Sequence, residues 1–205
     1  GHRVVVPFLR RKGFGALDAI VETHPDLDHA GGIPAVLRNI RVAAVIKRVE
    51  DGPRFPNTRL LQSRESTKAN DRSIVMGIRD HQVCVLLTGD IEEKVEAKIE
   101  RDVCATVLKV AHHGSKTSTS ESFLNATRPR IAVISAGAHN RFGHPHASVV
   151  DRLHERDIAL YETSTMGLIT LEVDQDEIEI TQTRRPDTHN ETQRPSELLF
   201  LRPVW

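Results

Sequence analysis

The chain is most constrained by the short segment His-Pro-Asp-Leu-Asp-His, which follows the apolar run 17–21. Its ligand-type side chains are His24, Asp26, Asp28 and His29. Two carboxylates and two imidazoles so close together repel one another or leave hydrogen bonds unmade unless a positive ion lies among them. A turn or helix-entry role could account for one aspartate, but not for both beside two histidines. The segment therefore predicts a metal site at the end of a strand.

Length and composition indicate one globular domain. The chain has 205 residues, of which 39% are hydrophobic and 27% are charged, enough for one sizeable core. Lysine plus arginine and aspartate plus glutamate both number 28, so any binding of nucleic acid must be local. Residues 1–182 are predicted to form the domain, and the polar segment 183–205 a C-terminal tail. Cys84 and Cys104 show no pairing pattern and are predicted to be reduced, buried thiols.

Hydrophobic periodicity predicts an alternation of short strands and amphipathic helices. The predicted strands are 17–22, 42–46, 73–78, 83–88, 107–110, 131–135, 158–162, 168–173 and 177–181. The predicted helices are 7–12, 31–39, 91–99, 120–126 and 147–156. The segment 50–70 is rich in arginine, proline, asparagine and serine, so it is predicted to be irregular surface.

Further ligand-type residues stand just past the ends of other predicted strands. These residues are Asp90, His112, His113, His144 and His146. Because the ends of neighbouring strands meet at one rim of a sheet, we expect these groups to converge with the first loop in one site. Histidine and aspartate suit Zn, Mn or Fe, and a shared carboxylate suits a two-metal centre.

Each of these residues also has a structural interpretation. Asp90 could cap the helix that follows it, and His112 and His113 could form a polar turn. His144 and His146 lie in a glycine- and proline-containing context that makes turns in any case. The histidines without ligand-type neighbours are predicted to be surface residues: His2, His81, His154 and His189.

Taken together, these motifs resemble the metallo-β-lactamase superfamily, whose signature is His-x-His-x-Asp-His. More narrowly, four motifs are similar to those of the hydrolase domain of ComEC-type DNA-uptake proteins: His-Pro-Asp-Leu-Asp-His-Ala-Gly-Gly, Leu-Leu-Thr-Gly-Asp, Leu-Lys-Val-Ala-His-His-Gly-Ser and Asn-Arg-Phe-Gly-His-Pro-His. The resemblance runs in order from about residue 3 to residue 173. It implies an α/β fold, the αββα four-layer sandwich. The family's first strands, with their Asp-Val-Gly-Gln-Gly-Asp motif, do not precede Gly1, so the sandwich is expected to lack them.

The resemblance implies two metal positions, of which the first departs from the family pattern. In two-zinc relatives the first ion takes both histidines of the signature and a third that precedes the bridging aspartate. Here Asp26 replaces one of them, so this position would be built from His24, Asp26 and Asn70, whose oxygen ligands favour Mn or Mg relative to Zn. The implied ligands of the second position are Asp28, His29, a bridging Asp90 and either His113 or His112. One or two ions of Zn or Mn are therefore expected.

The resemblance further implies a metal-dependent hydrolase, a phosphodiesterase or nuclease that acts on single-stranded DNA in a ComEC-like manner. Asp28 is expected to orient the attacking water as well as bind metal. His144 or His146 is expected to contact the phosphate or protonate the leaving oxygen. Lys109 is predicted to lie along its strand, from where it could reach a phosphate. Two other functions remain open: a small-molecule phosphodiesterase or phosphorylcholine esterase, and a noncatalytic module that binds nucleic acid or a partner.

The sequence contains no predicted membrane segment. No apolar run approaches the roughly 18–20 residues that a span needs, and no signal-peptide pattern is present. The chain as given is therefore expected to be soluble. A free-standing hydrolase would be cytoplasmic, whereas a fragment of a ComEC-like protein would be membrane-associated through segments outside it.

Overall fold

The structure is a computed structural model that describes residues 1–51, 55–62, 66, 68–99 and 103–183. Its helices are α1 (Val5–Arg11), α2 (Leu27–Ala30), α3 (Ile33–Asn39), α4 (Glu93–Ile99), α5 (Glu121–Thr127), α6 (Ala147–His154) and α7 (Thr163–Met166). Its strands are β1 (Ala16–Val21), β2 (Arg41–Ile46), β3 (Thr58–Gln62), β4 (Ile74–Asp80), β5 (Val83–Leu87), β6 (Val107–Lys109), β7 (Ile131–Ile134), β8 (Ala159–Glu162), β9 (Ile169–Asp174) and β10 (Glu177–Gln182).

Within the described residues, strands β3 to β8 form one mixed sheet in chain order. β4 and β5, which coincide with the strands predicted at 73–78 and 83–88, pair antiparallel, and β3 pairs antiparallel with β4. β5, β6, β7 and β8 pair parallel, with α4, α5 and α6 in the connections between them. The carboxyl ends of these parallel strands therefore meet at the same rim of the sheet.

The central sheet is covered on both faces. Neighbouring residues of a strand point to opposite faces, and the inner strands are apolar on both. Leu108 shares a buried core with Phe123 of α5 and Leu153 of α6. The adjacent Val107 packs instead with Ile178 of β10. Helices therefore lie against one face, and the β9–β10 antiparallel ribbon lies against the other.

β1 and β2 form a separate parallel pair, with Ala19 opposite Ala44. Helices α1 and α3 cover this pair through a small core that contains Val6, Val36 and Ile40. The last residue of β1 leads directly into the segment that carries the predicted ligands. These layers of helix and mixed sheet confirm the predicted α/β fold and are consistent with the metallo-β-lactamase fold.

The segment 50–70 differs from its prediction as irregular surface, because residues 58–62 form β3. Leu60 pairs with Met76 and Leu61 with Val75 across the antiparallel ladder. The apolar part of this strand is only two residues long, so the surrounding polar composition hides it in the sequence. Pairing with the longer β4, whose first two residues are buried, supplies the partner that local propensity does not.

The prediction of reduced thiols is wrong, because Cys84 and Cys104 form a disulfide. Cys84 lies in β5, and Cys104 lies just before β6, which runs parallel to β5. The backbone nitrogen of Thr106 donates to the carbonyl of Cys84 at 2.7 Å, which holds the two segments side by side. The contact depends on strand pairing, and cysteine spacing alone does not reveal it.

None of the described helices is long and apolar enough to cross a bilayer. Residues 184–205 of the predicted C-terminal tail lie outside the described residues, as does the surface position predicted for His189.

Candidate metal centre

The candidate site lies at the rim where the parallel strands end. Three segments meet there: the loop after β1, the turn after β5, and the turn after β6. Four residues from these segments each place one ligand atom within 4.8 Å of all the others: Asp28, His29, Asp90 and His113. We refer to these four residues as the inner cluster. The structure thus brings together groups that are far apart in sequence, as the convergence of strand ends predicts.

Distances within the inner cluster match those between ligands of one small cation. Nε2 of His29 lies 3.2 Å from Oδ1 of Asp90 and 3.2 Å from Nε2 of His113. Nε2 of His113 lies 3.3 Å from Oδ2 of Asp28 and 3.6 Å from Oδ2 of Asp90. Tetrahedral ligands about 2.0–2.2 Å from zinc are roughly 3.3–3.6 Å apart. The donor set and its spacing therefore fit a divalent ion.

Contacts behind the cluster fix the orientation of its two histidines. Nδ1 of His113 lies 2.6 Å from the carbonyl oxygen of Ser135, which can only accept, so Nδ1 carries the proton. In the neutral ring Nε2 then directs its lone pair at the two carboxylates. Oγ1 of Thr23 lies 3.3 Å from Nδ1 of His29. Such partners orient metal-binding histidines. The sequence gives no signal for Ser135, because it acts through its backbone.

Asp90 is only 3% exposed and lies between the histidines. Burial opposes ionisation of its carboxyl, but a hydrogen bond from His29 and the charges of His29, Lys109 and His113 lower its pKa to about 2. Nζ of Lys109 lies 4.0 Å from Oδ1 of Asp90. Because metal ligands must be deprotonated, this carboxylate is ready to bind a cation at neutral pH.

His24 is buried beside Asp90, and one of its ring nitrogens faces carboxylates. Nε2 lies 3.8 Å from Oδ2 of Asp90 and 3.8 Å from Oδ2 of Asp26, and it has no hydrogen-bond partner among the described residues. Buried polar atoms in proteins are nearly always paired. A buried nitrogen directed at two carboxylates, beyond hydrogen-bond reach of either, fits a metal ligand.

Ser73 connects His24 to Asp90, a role that the sequence did not suggest. Its hydroxyl oxygen accepts from the backbone nitrogen of Asp90 at 3.1 Å and lies 3.1 Å from Nδ1 of His24. Gly89 permits this approach, since its φ is 55° and a Cβ there would lie 2.7 Å from Cβ of Ser73. Only glycine fits such a position without displacing the serine. The Thr-Gly-Asp motif is thus a close backbone contact as well as a source of the carboxylate.

The other predicted ligands form what we call the flanking group: His24, Asp26, Asn70 and His112. Nδ2 of Asn70 lies 3.2 Å from Nε2 of His112. Nδ1 of His112 lies 3.9 Å from Oε1 of Glu92. The side chain of Asp26 is half exposed, and its contact with His24 is longer than most contacts in the inner cluster. The flanking group is therefore the more widely spaced of the two sets of ligands.

His112 and His113 lie in a left-handed turn, with φ angles of 49° and 55°. Residues with side chains adopt such angles rarely, at a cost on the order of 1–3 kcal/mol each. The backbone nitrogen of His112 donates to the carbonyl of Gly89 at 3.1 Å, which ties the turn to the other strand end. The turn sends the two rings in different directions, so that His113 enters the inner cluster and His112 contacts Asn70.

His144 and His146 occupy different surroundings. The ring centre of His144 lies 5.8 Å from that of His112, and its Nδ1 is buried without a hydrogen-bond partner among the described residues. Burial lowers the pKa of His144, and the neighbouring His112 and His113 lower it further. The side chain of His146 instead accepts from the backbone nitrogen of Ser148 at 3.3 Å and caps α6. The structure places His144 beside the predicted ligands and gives His146 a structural contact.

Comparisons with known proteins identify a family. A family model described as the metallo-beta-lactamase superfamily matches residues 8–74. ComE operon protein 3 of Bacillus subtilis is 31% identical over 203 residues, which covers 82% of this chain and 26% of the relative. Recombination protein 2 of Haemophilus influenzae is 35% identical over 199 residues, with 88% and 25% covered. Competence protein ComA of Neisseria gonorrhoeae is 32% identical over 184 residues, with 80% and 26% covered.

The comparisons and the geometry point to the same assignment. The residues matched by the family model include the loop that supplies Asp28 and His29 to the inner cluster. The chain spans about a quarter of the length of the relatives that it matches. This chain belongs to the metallo-β-lactamase superfamily and resembles one part of ComEC-type competence proteins.

Proposed function

We propose that this chain is a metal-dependent phosphodiesterase that cleaves single-stranded DNA. The observation that carries the proposal is the inner cluster, where two carboxylates and two imidazoles place ligand atoms within 4.8 Å of one another. Such ligands suit Zn or Mn. Membership of the superfamily supports metal-dependent hydrolysis as the chemistry. The formal charge of zero is no objection, because a bound cation supplies local positive charge for a phosphodiester.

A divalent ion bound at this site supplies charge that offsets a developing negative charge and lowers the pKa of water. The residues of the chain prepare the other parts of the reaction. The side chain of Asp28 is 62% exposed, so it can accept a hydrogen bond from the attacking water and orient it. Asp90 remains ionised at the buried centre, held so by its contacts with His29 and Lys109.

We assign His144 the role of contacting the phosphate or protonating the leaving oxygen. Its ring lies beside that of His112 at the edge of the flanking group, and its buried Nδ1 makes no hydrogen bond within the described residues. His146 was expected to share this role, but its Nδ1 lies 2.8 Å from the Ser148 hydroxyl in the α6 cap. The proposal therefore rests on His144 alone.

The two sets of ligands suggest two ions of unequal affinity. We propose that the inner cluster binds the first ion and that the flanking group binds a second one more weakly. Asp90 can serve both, because His24 and His113 lie 3.8 Å and 3.6 Å from the same carboxylate oxygen. The oxygen atoms of Asp26 and Asn70 favour Mn or Mg over Zn in the flanking group.

The names of relatives support DNA as the substrate. One is named a competence protein and another a recombination protein. Because this chain spans a quarter of their length, we propose that residues 1–182 act as the hydrolase domain of a DNA-uptake protein. In that arrangement, association with a membrane would come from segments outside this chain.

The function is tested by incubating an end-labelled single strand with the purified chain and Mn²⁺, Zn²⁺ or a chelator. We expect cleavage with at least one metal and none with the chelator. Asp28→Ala should lower the rate at least about 100-fold, because it removes both a ligand and the group that orients water. Asp18→Ala is the matched control, since Asp18 is an exposed aspartate on β1 that contributes to neither set of ligands.

Other outcomes would favour the other two functions. Hydrolysis of bis(p-nitrophenyl) phosphate without cleavage of DNA would favour a small-molecule phosphodiesterase or phosphorylcholine esterase. Binding of DNA without cleavage at any metal would favour a noncatalytic module. A purified chain that binds neither Mn²⁺ nor Zn²⁺ would refute the catalytic proposal altogether.

A further inference from the structure

The loop between β7 and α6 presents an aromatic ring to solvent beside the metal centre. Phe142 is 66% exposed, although a large apolar side chain gains nothing for the fold by facing water. Its ring stacks on that of His144, with centres 5.9 Å apart and planes 17° from parallel. The guanidinium carbon of Arg141 lies 5.0 Å from the centre of the Phe142 ring. An aromatic ring and a cation are thus displayed together at the edge of the site.

Hydrogen bonds hold this loop in one shape. Oδ1 of Asn140 accepts from the backbone nitrogen of Phe142 at 3.2 Å and from that of His144 at 2.9 Å. Its Nδ2 donates to the carbonyl of Gly137 at 2.9 Å. The backbone nitrogen of His146 donates to the carbonyl of Gly114 at 2.8 Å, which fastens the loop to the turn that carries His113. Phe142 is therefore exposed on a loop whose shape is already fixed, so little conformational entropy is lost when it binds a ligand.

A series of rings connects Phe142 to the inner cluster. The ring centres of Phe142 and His144 are 5.9 Å apart, those of His144 and His112 are 5.8 Å apart, and those of His112 and His113 are 6.5 Å apart. Phe142 thus lies three ring-to-ring steps from His113 of the inner cluster. A strand whose phosphodiester lay at the inner cluster could therefore bring a base within a few nucleotides of that phosphodiester to this ring.

Building on the proposed function, we propose that Phe142 is a stacking platform for a base within a few nucleotides of the cleaved phosphodiester of a single strand. Stacking of a base on an aromatic side chain strengthens binding about 5- to 150-fold, whereas an exposed cation–π contact contributes only about 2- to 5-fold. A base can therefore displace Arg141 from the ring, and the freed guanidinium can pair with a backbone phosphate.

This platform would select unpaired strands. The faces of bases in a single strand are available to an aromatic side chain, whereas the bases of a duplex stack on one another. Stacking also tolerates any base, because every base has a flat aromatic face. The substrate class that fits is therefore single-stranded DNA without a strong preference for sequence.

The proposal is tested by a binding cycle that combines a protein change with a base deletion. Fluorescence anisotropy would give Kd for a labelled single strand of about twelve nucleotides and for versions with an abasic site at each position. We expect Phe142→Ala to raise Kd about 5- to 150-fold for the intact strand. For one abasic position the same change should have little effect, because the stacking partner is already absent. A purely structural role of Phe142 would weaken binding of intact and abasic strands equally.

Two further variants keep the result interpretable. Phe142→Trp should bind the intact strand at least as tightly as wild type, because the ring is retained. Phe14→Ala is the matched control, since Phe14 is also exposed but precedes β1, at the end opposite the ligand loop. Phe142→Ala is expected to fold, because Phe142 belongs to none of the described buried cores.

The outcomes separate this proposal from the proposed function. If wild type binds or cleaves single-stranded DNA and Phe142→Ala does so equally well, the platform is refuted while the nuclease stands. If wild type neither binds nor cleaves single strands with any metal, both are refuted. If Phe142→Ala weakens single-strand and duplex binding by the same factor, the ring contributes to affinity but does not select unpaired bases, and the proposed selectivity is overturned.

Discussion

Two buried carboxylates lie close together in the sequence, and their surroundings differ. Asp90 follows β5 and faces histidines and a lysine, which lower its pKa to about 2 against the effect of burial. Glu96 lies in α4 with 0% exposure, and burial raises its pKa even though backbone nitrogens donate to it. Those nitrogens belong to Thr119 and Ser120, and the Ser120 bond is 2.9 Å long.

The comparison shows how a buried acid can serve function or structure. The protein's own backbone donors satisfy the two oxygens of Glu96, which ties α4 to the residues before α5. Nη1 of Arg152 in α6 donates to the carbonyl of Thr119 at 2.6 Å and closes that network, while Nε of the same residue lies 3.2 Å from Oε1 of Glu121. Asp90 instead faces ring nitrogens that are themselves good metal ligands. The first arrangement needs no ligand, and we propose that a cation completes the second.

The largest expected effect comes from Asp90→Asn. The amide keeps the size of the side chain but removes the negative charge that both proposed ions share. We expect metal-dependent hydrolysis to fall at least about 1,000-fold, equivalent to a loss of about 4 kcal/mol of stabilisation. Metal affinity should fall as well. The measurements are single-turnover cleavage and calorimetric titration with Mn²⁺ or Zn²⁺.

Asp18→Asn is the matched control for that substitution, because Asp18 is an exposed aspartate of β1 outside both sets of ligands. It should leave cleavage and metal binding as in wild type. A fully active Asp90→Asn variant would contradict the assignment of Asp90 to the centre of the site, and would make it a structural acid like Glu96.

The next largest effect is expected on stability, from Glu96→Ala. The change leaves two buried backbone N–H groups without acceptors, so we expect the free energy of unfolding to fall by about 2–4 kcal/mol. Metal affinity of the native protein should stay unchanged, because the Glu96 carboxylate accepts from the backbone nitrogens of Thr119 and Ser120, which are not proposed metal ligands. Urea unfolding measures the first quantity and calorimetry the second.

Glu93→Ala is the control for Glu96→Ala, since Glu93 is exposed on the same helix. It is expected to change stability by less than about 0.5 kcal/mol. Loss of metal binding in Glu96→Ala with unchanged stability would reverse the roles given to the two acids.

Sequence patterns predict much of the fold and the part of the candidate site that lies in the loop after β1. Apolar runs with turn residues between them locate β4 to β8 within a few residues, because strand and helix periods differ clearly. The expectation that ligands meet at strand ends needs only the parallel order of those strands. Two features of the site could be located only from the turn geometry in the structure. They are the position of Asp90 and the presence of His113 rather than His112 in the inner cluster.

The features that the sequence did not reveal depend on contacts between distant segments. The Cys84–Cys104 disulfide forms because two parallel strands lie side by side. Ser73 reaches His24 only because Gly89 lets two strand ends approach closely. Glu96 reads as one polar residue of an amphipathic helix, and only the packing of that helix against the residues before α5 shows that it is buried. Periodicity carries no information about such contacts.

A smaller effect is expected from Asp26→His, which tests the second of the two proposed ions. The substitution restores the family's His-x-His pattern, and an imidazole suits Zn better than an exposed carboxylate does. We expect the affinity for a second Zn²⁺ to rise about tenfold, with the first ion unaffected. Calorimetric titration measures both steps, and Asp18→His is the control. Unchanged binding of the second ion would show that Asp26 is not one of its ligands.

The smallest expected effect is a difference in how stability depends on pH, which compares Glu96 with Asp90. Because burial raises the pKa of Glu96 above its ordinary 4.5, the folded state holds this proton more tightly than the unfolded chain. Its contribution to stability is then fully present below pH 4.5 and is lost as pH rises through the folded pKa. Asp90 has the opposite sign, since its contribution is present above pH 3.8 and is lost as pH falls toward about 2.

Glu96→Gln isolates the pH-dependent contribution of Glu96 to stability, because the amide has a similar shape and does not titrate in this range. The free energy of unfolding of wild type minus that of the variant should decrease as pH rises from below 4.5 to neutral. Urea unfolding at a series of pH values gives this difference, and titrations common to both proteins cancel in it. A difference that instead increased with pH would mean that the backbone donors of Thr119 and Ser120 hold Glu96 ionised. Glu96 would then resemble Asp90 in charge, and the two sites would differ only in whether a cation or the backbone balances the carboxylate.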